Sequence, residues 1–566
     1  MTKQTVRRAA PRVERAWEVV PGILEWTTFT ILVLLSWLAP YAVSYGIMMY
    51  ALYWLIKTAH VNTHLVYTYR KLKKSSRQDW SARLHDLDEP EQALERVEKA
   101  LATLRAELRS GTFRSRRSIK HAIEALAERR RVLKDLQARE DDLPSWRDVW
   151  HVVIFPTYNE PTEVLEESIG ALLESKFPLD RVAVVVGIEE RAGDAATEKA
   201  RILKEKFDGK FAHFWTVTHP DGLVGEARVK SANTTYALNA ITPELEKQGI
   251  ATELTLVSNF DSDTQASPDY FSVLTEAFVT NPRRLRASYQ PIPVFNNNFW
   301  GVPLLSRLSA IGSSFWQMIE ASRVQRLVTF SSHAVPLKVL LEVGGWDVTR
   351  ISEDSRIFWQ CYIHFDGDYF VVPLPTTVSM DAVQAPKWMS TLSNLYKQKR
   401  RWAYGAENLP LVGTRMLGKN HIKAPLGVRL AQVGRMLEAS YSLGTAAVVL
   451  AVGGWLPSLL GGPVFRDTVL GQNFLNVTRF LLTFALIGVV FSIGVSARML
   501  PKRPRGVPRR RVFNYWIQWI FAPFATIFFG SIPAVDAHTR LMLGRYMEYQ
   551  VMPKMRTESK ETTKPS

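Results

Sequence analysis

Cysteine is almost missing from this sequence: Cys361 is the only one in 566 residues. A lone thiol excludes an internal disulfide and a metal site built from cysteines. The first apolar block, residues 22–39, does not read as a cleavable leader, because it is too long for one, contains Glu25 and is followed almost at once by a second block at 41–56. Acidic residues are absent from the linker RMLPKRPRGVPRRR at 498–511, which carries seven basic ones.

What is present is apolar and charged sequence sorted into blocks. The chain is 46% hydrophobic, and its mean hydropathy of −0.07 is high for a chain that is also 22% charged. Five blocks, at 22–39, 41–56 and about 437–460, 478–497 and 512–535, approach bilayer-crossing length and are read as membrane segments. Arg7, Arg8, Arg12 and Arg15 precede the first block, and Lys57, Arg70, Lys71, Lys73, Lys74 and Arg77 follow the second. Basic flanks face the cytoplasm, which places the polar stretch up to about residue 425 and the 498–511 linker inside as well. If 512–535 crosses the bilayer, the tail from His538 lies outside; if Pro523 breaks it into a re-entrant hairpin, the tail returns inside. The net charge of +17 crowds against these apolar blocks. There it attracts anionic lipid headgroups, so membrane lipids rather than nucleic acid are the expected partner.

Between 88 and 140, Leu94, Val97, Leu101, Leu104 and Leu108 follow 3-4-3-4 spacing, SGT at 110–112 interrupts, and Ile119, Ile123, Leu126, Leu133 and Leu136 resume. This spacing predicts an antiparallel helical hairpin. It reads as a solvated spacer without chemistry and as a place where partner subunits could attach. From about 150, continuous apolar runs at 151–156, 182–188, 214–218 and 254–258 read as buried strands separated by helical stretches, the pattern of a parallel α/β sheet. Ligands of such sheets bind beyond the carboxyl ends of the strands. Each run does end in polar residues: Thr157 to Glu160, Glu189 and Glu190, His219, then Asp261 and Asp263.

The D-x-D in LVSNFDSDT at 256–264 raises a question of charge. On an extended chain, residues i and i+2 share one side, so two carboxylates would converge and repel unless a cation lay between them. The same letters also mark a strand that ends in an Asx-type turn.

Four motifs stand in one order: PTYNEP at 156–161, D-x-D at 261–263, SED at 352–354 and QKRRW at 398–402. In that order they resemble membrane-embedded family-2 glycosyltransferases, the group of the cellulose, hyaluronan and poly-N-acetylglucosamine synthases. The resemblance is close over about 150–405 and looser over the flanking helices. It implies a GT-A α/β domain with a Rossmann-like sheet on the cytoplasmic face of a membrane α-helical bundle, with the hairpin inserted. The expected organisation is a basic N-terminus (1–20), two transmembrane helices (21–57), a basic linker (58–87), the hairpin (88–140), the GT-A domain (148–385), interfacial helices with QxxRW (386–436), three or more membrane segments (437–535) and a tail (536–566).

The implied chemistry is inverting transfer of a sugar from a nucleotide-sugar, a UDP-sugar by analogy, to a growing polysaccharide, with QxxRW favouring processive synthesis and coupled extrusion. A diphosphate leaving group needs its charge neutralised, and a divalent cation on oxygen ligands does this; Mg²⁺ or Mn²⁺ suits Asp261 and Asp263, with Asp263 the direct ligand by analogy. Lys230 resembles the family lysine beside the donor phosphates, and Thr157, Tyr158, Asn159 and Glu160 would hold uracil and ribose. Glu190 stands where many relatives carry aspartate. Inversion needs a base for the acceptor proton, which the resemblance assigns to Asp354 with Glu353 as its neighbour. Gln398, Arg401 and Trp402 share one helix face; Arg401 would meet the diphosphate, and Gln398 and Trp402 the acceptor sugar. On its own, the same helix is an interfacial anchor. FSSH at 330–333 matches an acceptor-side loop, with His333 a polar wall residue without a chemical role. Two other readings stand beside this one: transfer of one sugar to a lipid or polyprenyl-phosphate acceptor, and a membrane scaffold that only binds nucleotide-sugar.

Overall fold

Four strands form where the continuous apolar runs lie: β1 (Trp150–Thr157), β2 (Val182–Glu189), β3 (His213–His219) and β4 (Thr255–Asn259). These come from a computed structural model, which describes residues 12–110, 113–139, 143–503 and 506–549. Arg7 and Arg8, residues 111–112 of the hairpin break, Pro504 and Arg505 of the basic linker, and the tail beyond 549 lie outside the described residues. The four strands pair in parallel in the order β3-β2-β1-β4. Val153 and Phe155 of β1 pack with Leu165 and Ile169 of the helix Thr162–Leu172, whereas Val152 and Ile154 pack with Ala237 and Ile241 of the helix Lys230–Lys247. Helices on both faces leave no solvated side, which is why these strands read as unbroken apolar runs.

The sheet then continues in a mixed half. β5 (Gln265–Ala266), β6 (Ala287–Phe295), β7 (Ala334–Pro336) and β8 (Phe370–Met380) extend it to β3-β2-β1-β4-β7-β6-β8-β5. β7 is antiparallel to β4 and β6, and β8 is parallel to β6 and antiparallel to β5. The carboxyl ends of β1, β2 and β4 stand side by side, since Ile154 pairs with both Val185 and Asn259.

The hairpin forms as two helices, Pro90–Ser110 and Phe113–Gln137, around Val97, Leu101, Leu133 and Leu136. Its base is not solvated. Buried Glu276, on the helix Tyr270–Val279, accepts hydrogen bonds from Arg83 Nε (2.8 Å) and Arg129 Nη1 (3.1 Å), and Arg129 also reaches Asp86 Oδ2 at 3.0 Å. Glu276→Ala would leave two arginines without their shared buried carboxylate. Removing one member of a buried ion pair typically costs about 3–5 kcal/mol, so denaturant unfolding should show a loss of that order, and an unchanged midpoint would mean that the docking is not stabilising.

Among the described residues, four helical runs are long and apolar enough to cross a membrane: Arg12–Leu38, Leu426–Gly453, Val469–Met499 and Arg509–Met542. The first leaves Ile31, Leu34, Trp37 and Leu38 exposed, the third Phe480, Ile487 and Phe491, an outward apolar surface suited to lipid. The second expected segment is not among the four. Residues 41–56 open the longer helix Pro40–Ser75, and sixteen residues rise only about 24 Å against a hydrocarbon core of about 30 Å. The run Arg509–Met542 meets the α/β domain near its start and the helix Trp388–Ala403 near its end: Arg511 donates to the Trp300 carbonyl, Arg307 Nε reaches Gln518 Oε1 at 2.7 Å, and His538 Nε2 lies 3.3 Å from the Ala403 carbonyl. A π-helical turn at Ile527–Ser531 follows Pro523. After Met542 the chain turns at Gly544, whose φ is +68°, and Tyr549 comes back over Arg401. The chain from Gly544 to Tyr549 therefore lies on the side of the α/β domain.

Candidate active site

The PTYNEP segment leaves β1 as a self-contained turn. Glu160 Oε2 accepts from Thr157 Oγ1 (3.0 Å) and from the Tyr158 amide (2.7 Å). Lys199, on the helix Asp194–Phe207, donates to the carbonyls of Tyr158 (3.0 Å) and Glu160 (2.7 Å) and to Thr157 Oγ1 (3.2 Å). Burial lowers the Lys199 pKa, with Glu160 opposing. Asn159 is exposed at the tip, and the Arg191 guanidinium lies 4.2 Å over the Tyr158 ring. Glu190, just past β2, accepts from the Asp221 amide at 3.0 Å. Thr157, Tyr158, Asn159 and Glu160 thus rim the carboxyl edge beside β4, with Glu190 on the neighbouring strand.

β4 ends at Asn259, so the D-x-D is not extended. The Thr264 amide donates to the Asp261 carbonyl at 2.9 Å and Thr264 Oγ1 accepts from the Asp261 amide at 3.1 Å, closing a turn. The two carboxylates consequently take different partners, which corrects the expectation that strand geometry aims them together. Asp261 binds Lys230 Nζ through Oδ1 (2.5 Å) and Ser331 Oγ through Oδ2 (2.8 Å). Asp263, 1% exposed, accepts from the Asp381 amide at 2.9 Å.

Lys230 opens its helix and gathers the carboxylates. Besides Asp261, its Nζ lies 3.8 Å from both Glu353 Oε1 and Asp354 Oδ1. Burial alone would lower its pKa, but Asp261, Asp354 and Glu353 together hold it above the ordinary lysine value. Burial, with Asp354 beside it, pushes the Glu353 carboxyl well above the usual range, against Lys230 and Arg401. His333 Nδ1 is 3.7 Å from Asp354 Oδ1, yet both of its nitrogens are engaged: one hydrogen-bonds the Phe330 carbonyl (2.7 Å), the other accepts from Trp346 Nε1 (3.0 Å). Trp346 is set by Gly344 and Gly345, at φ +80° and +77°, where a Cβ on Gly345 would meet Thr235 at 2.8 Å.

The helix Trp388–Ala403 carries the last motif. Arg401 sits 5.2 Å from the Tyr549 ring; burial lowers its pKa, but Tyr549, Glu353, Asp261 and Asp354 outweigh that and keep it raised. Trp402 is 38% exposed, with its ring centroid 5.6 Å from that of Phe295. Lys399 lies 4.3 Å over the Trp402 ring and donates to Ser313 Oγ at 2.6 Å, and burial pulls its pKa down to about 7. Gln398 is half-buried one turn before Trp402. The fold therefore brings Lys230, Asp261, Glu353, Asp354 and Arg401 into one electrostatic cluster, with Trp402 at its flank.

Residues 256–530 match the model of glycosyl transferase family group 2. The chain carries a family-2 glycosyltransferase domain. The match begins within β4 and takes in the D-x-D, SED and QxxRW residues. No curated protein matches the sequence. Among solved structures, the glycosyltransferase chain is similar to mannosyltransferase PcManGT from Pyrobaculum calidifontis in complex with GDP-Man and Mn²⁺, at 19% identity and a TM-score of 0.36, over 60% of this chain and 86% of that one. It is also similar to TarS of S. aureus with UDP-GlcNAc (14%, TM-score 0.32, 73% and 98%) and to GalNAc-T7 with UDP, GalNAc and Mn²⁺ (10%, 0.29, 52% and 58%).

Several residues of the glycosyltransferase site carry no motif. Lys199, Asp381 and Tyr549 each contact a predicted residue, but only the fold joins them, and only the fold brings Ser331 of FSSH onto Asp261. For a divalent cation, Asp261 and Asp263 offer hard oxygen ligands, and no group of three Asp, Glu, His or Cys able to hold a metal occurs among the described residues. Mg²⁺-type sites commonly use one or two carboxylates and complete the shell with substrate phosphates and water. The donor chemistry of the pair fits that kind of site, and in this structure Lys230 and Ser331 engage the Asp261 oxygens that a cation would take.

Proposed function

We propose that this glycosyltransferase transfers a sugar, with inversion, from a UDP-sugar to a growing polysaccharide at the cytoplasmic membrane face, processively and with coupled extrusion, as in the cellulose and hyaluronan synthases it resembles. The observation that carries the reading is the convergence of Asp261, Glu353 and Asp354 on Lys230, with Arg401 in the same field. Two cations amid carboxylates suit a site that receives a diphosphate and also keeps a base. Asp354 takes the proton of the acceptor hydroxyl as its oxygen attacks the anomeric carbon, and the bond from that carbon to the diphosphate breaks on the opposite face. Lys230 and Arg401 hold the departing diphosphate by charge-assisted hydrogen bonds. Asp263, with Asp261, would hold Mg²⁺ or Mn²⁺, which when bound supplies charge neutralisation at the leaving group. Thr157, Tyr158, Asn159, Glu160 and Glu190 rim the nucleoside side, and Gln398 and Trp402 the acceptor side.

Four candidate spans make a narrow bundle, and this favours one rival: transfer of a single sugar to a lipid or polyprenyl-phosphate acceptor. The scaffold reading has no use for a base beside a buried lysine. Incubating membranes containing the protein with a panel of radiolabelled nucleotide-sugars, and sizing the products, separates these readings. Long chains are expected, and Trp402→Ala should shorten them more than it slows donor hydrolysis, since loss of a stacked ring costs about 0.5–1.5 kcal/mol beyond its buried area. One-sugar lipid products at every donor concentration would overturn the processive reading.

A further inference from the structure

Asp354 is poorly held by its own side chain. Its Oδ1 makes no hydrogen bond among the described residues, and Lys230 and the His333 ring stand 3.7–3.8 Å away. It lies in the first turn of the helix Glu353–His364, whose cap residue Ser352 does not turn its hydroxyl onto that helix. The hydroxyl goes to Glu407 instead. One oxygen of Glu407, Oε1, accepts from the Ile351 amide (3.0 Å), the Ser352 amide (3.0 Å) and Ser352 Oγ (2.9 Å), and the residue is 1% exposed. The next residue, Asn408, donates from Nδ2 to Ser355 Oγ at 3.0 Å. Both belong to the 3₁₀ turn Tyr404–Asn408 that continues directly from Trp402.

We propose that Glu407 is a positioning residue: it fixes the loop ahead of Asp354 and so couples the placement of the base to the helix that presents Trp402 to the acceptor. A buried carboxylate bound to two backbone amides and a hydroxyl holds those three donors in one geometry, because charge-assisted hydrogen bonds are about twice as strong as neutral ones. Farther back the same loop is held by Asp347, which pairs with Arg356 at 3.0 Å, so Glu407 fixes the stretch that runs straight into the base, and Arg350 approaches its Oε2 to 4.0 Å. The coupling would let the base reach its working position only when the acceptor-side helix is in place. The proposal rests on the reading of Asp354 as base, and a double-mutant cycle keeps the two apart.

Glu407→Ala should lower kcat for transfer by about 10²-fold, the scale expected for a displacement of about 1 Å at a reacting group, with donor KM unchanged. In an Asp354→Asn background the same change should alter transfer less than about twofold, since partners that act as one unit do not add. Equal losses in both backgrounds, or an undiminished rate in Glu407→Ala, would overturn the positioning role while leaving Asp354 as base. An undiminished rate in Asp354→Asn alone would remove the base reading and this proposal with it. If Glu407→Ala no longer binds donor, Glu407→Gln carries the test. Its amide oxygen can still accept the three donors, so it should stay within about tenfold of wild type and again have no effect beside Asp354→Asn; a loss that persists there would overturn the proposal.

Discussion

Asp354→Asn is expected to lower sugar transfer by about 10²- to 10⁴-fold, the usual worth of a general base, while donor binding stays near wild type. Asparagine keeps the shape of the side chain but cannot take the acceptor proton. The surroundings make the comparison clean. Oδ1 of Asp354 has no hydrogen-bond partner among the described residues, so the amide breaks no bond there, and Lys230 keeps its 2.5 Å contact with Asp261. His333 cannot readily stand in as base, because one nitrogen bonds the Phe330 carbonyl and the other accepts from Trp346. Transfer of radiolabelled sugar, set against calorimetric binding of the nucleotide-sugar, checks the prediction. A parallel loss of both in a folded protein would make Asp354 structural.

The parallel half of the sheet was legible because Val152 to Phe155 and Val182 to Ile188 are apolar at every position, the mark of strands covered on both faces. The mixed half was not. β6 carries Pro291 and Pro293, β8 carries Pro373 and Pro375, and proline ordinarily argues against an interior strand. The structure accommodates them with a register shift between Gln290 and Ile292. Among the candidate site residues, Lys230, Glu353, Asp354 and Arg401 were found through motifs, and the fold brings them into one cluster. The D-x-D was found for its letters but misjudged in its geometry: period-two logic holds only while the strand continues, and the hydrogen bonds between Asp261 and Thr264 end it. Lys199 and Glu407 left no trace in the sequence. Each is one polar residue on a helical segment, and its meaning comes wholly from loops that are distant in the chain. The fifth expected block, 512–535, falls within the helical run Arg509–Met542; what composition could not supply is that Gln518 inside it meets Arg307 and that Asp536 and His538 just past it meet Arg400 and the Ala403 carbonyl.

Asp263→Ala should abolish both transfer and hydrolysis of the nucleotide-sugar, a larger effect than that of Asp354→Asn, because it acts on the departure of the diphosphate rather than on the incoming hydroxyl. The two carboxylates of the D-x-D differ in what else holds them. Asp261 gives one oxygen to Lys230 and the other to Ser331, whereas Asp263 is buried against the Asp381 amide. Asp261→Ala should therefore have a mixed effect, freeing Lys230 from its closest partner as well as weakening a cation site; Asp263→Ala leaves the Lys230 pair intact and removes a cation ligand together with the acceptor of the Asp381 amide. Several kilocalories per mole of leaving-group stabilisation are at stake for a Lewis-acid cation, which by about 1.4 kcal/mol per decade corresponds to a loss of about 10³-fold or more. Chelation of the wild type with EDTA should reproduce the mutant, and added Mn²⁺ or Mg²⁺ should restore only the wild type. Mn²⁺ binding in the presence of UDP, followed by electron paramagnetic resonance, supplies a readout that does not depend on turnover and should be lost in Asp263→Ala but kept in Asp354→Asn. Undiminished Mn²⁺ binding in Asp263→Ala, or a wild type fully active in EDTA, would remove Asp263 from the metal site and leave the proposed stabilisation of the diphosphate to Lys230 and Arg401.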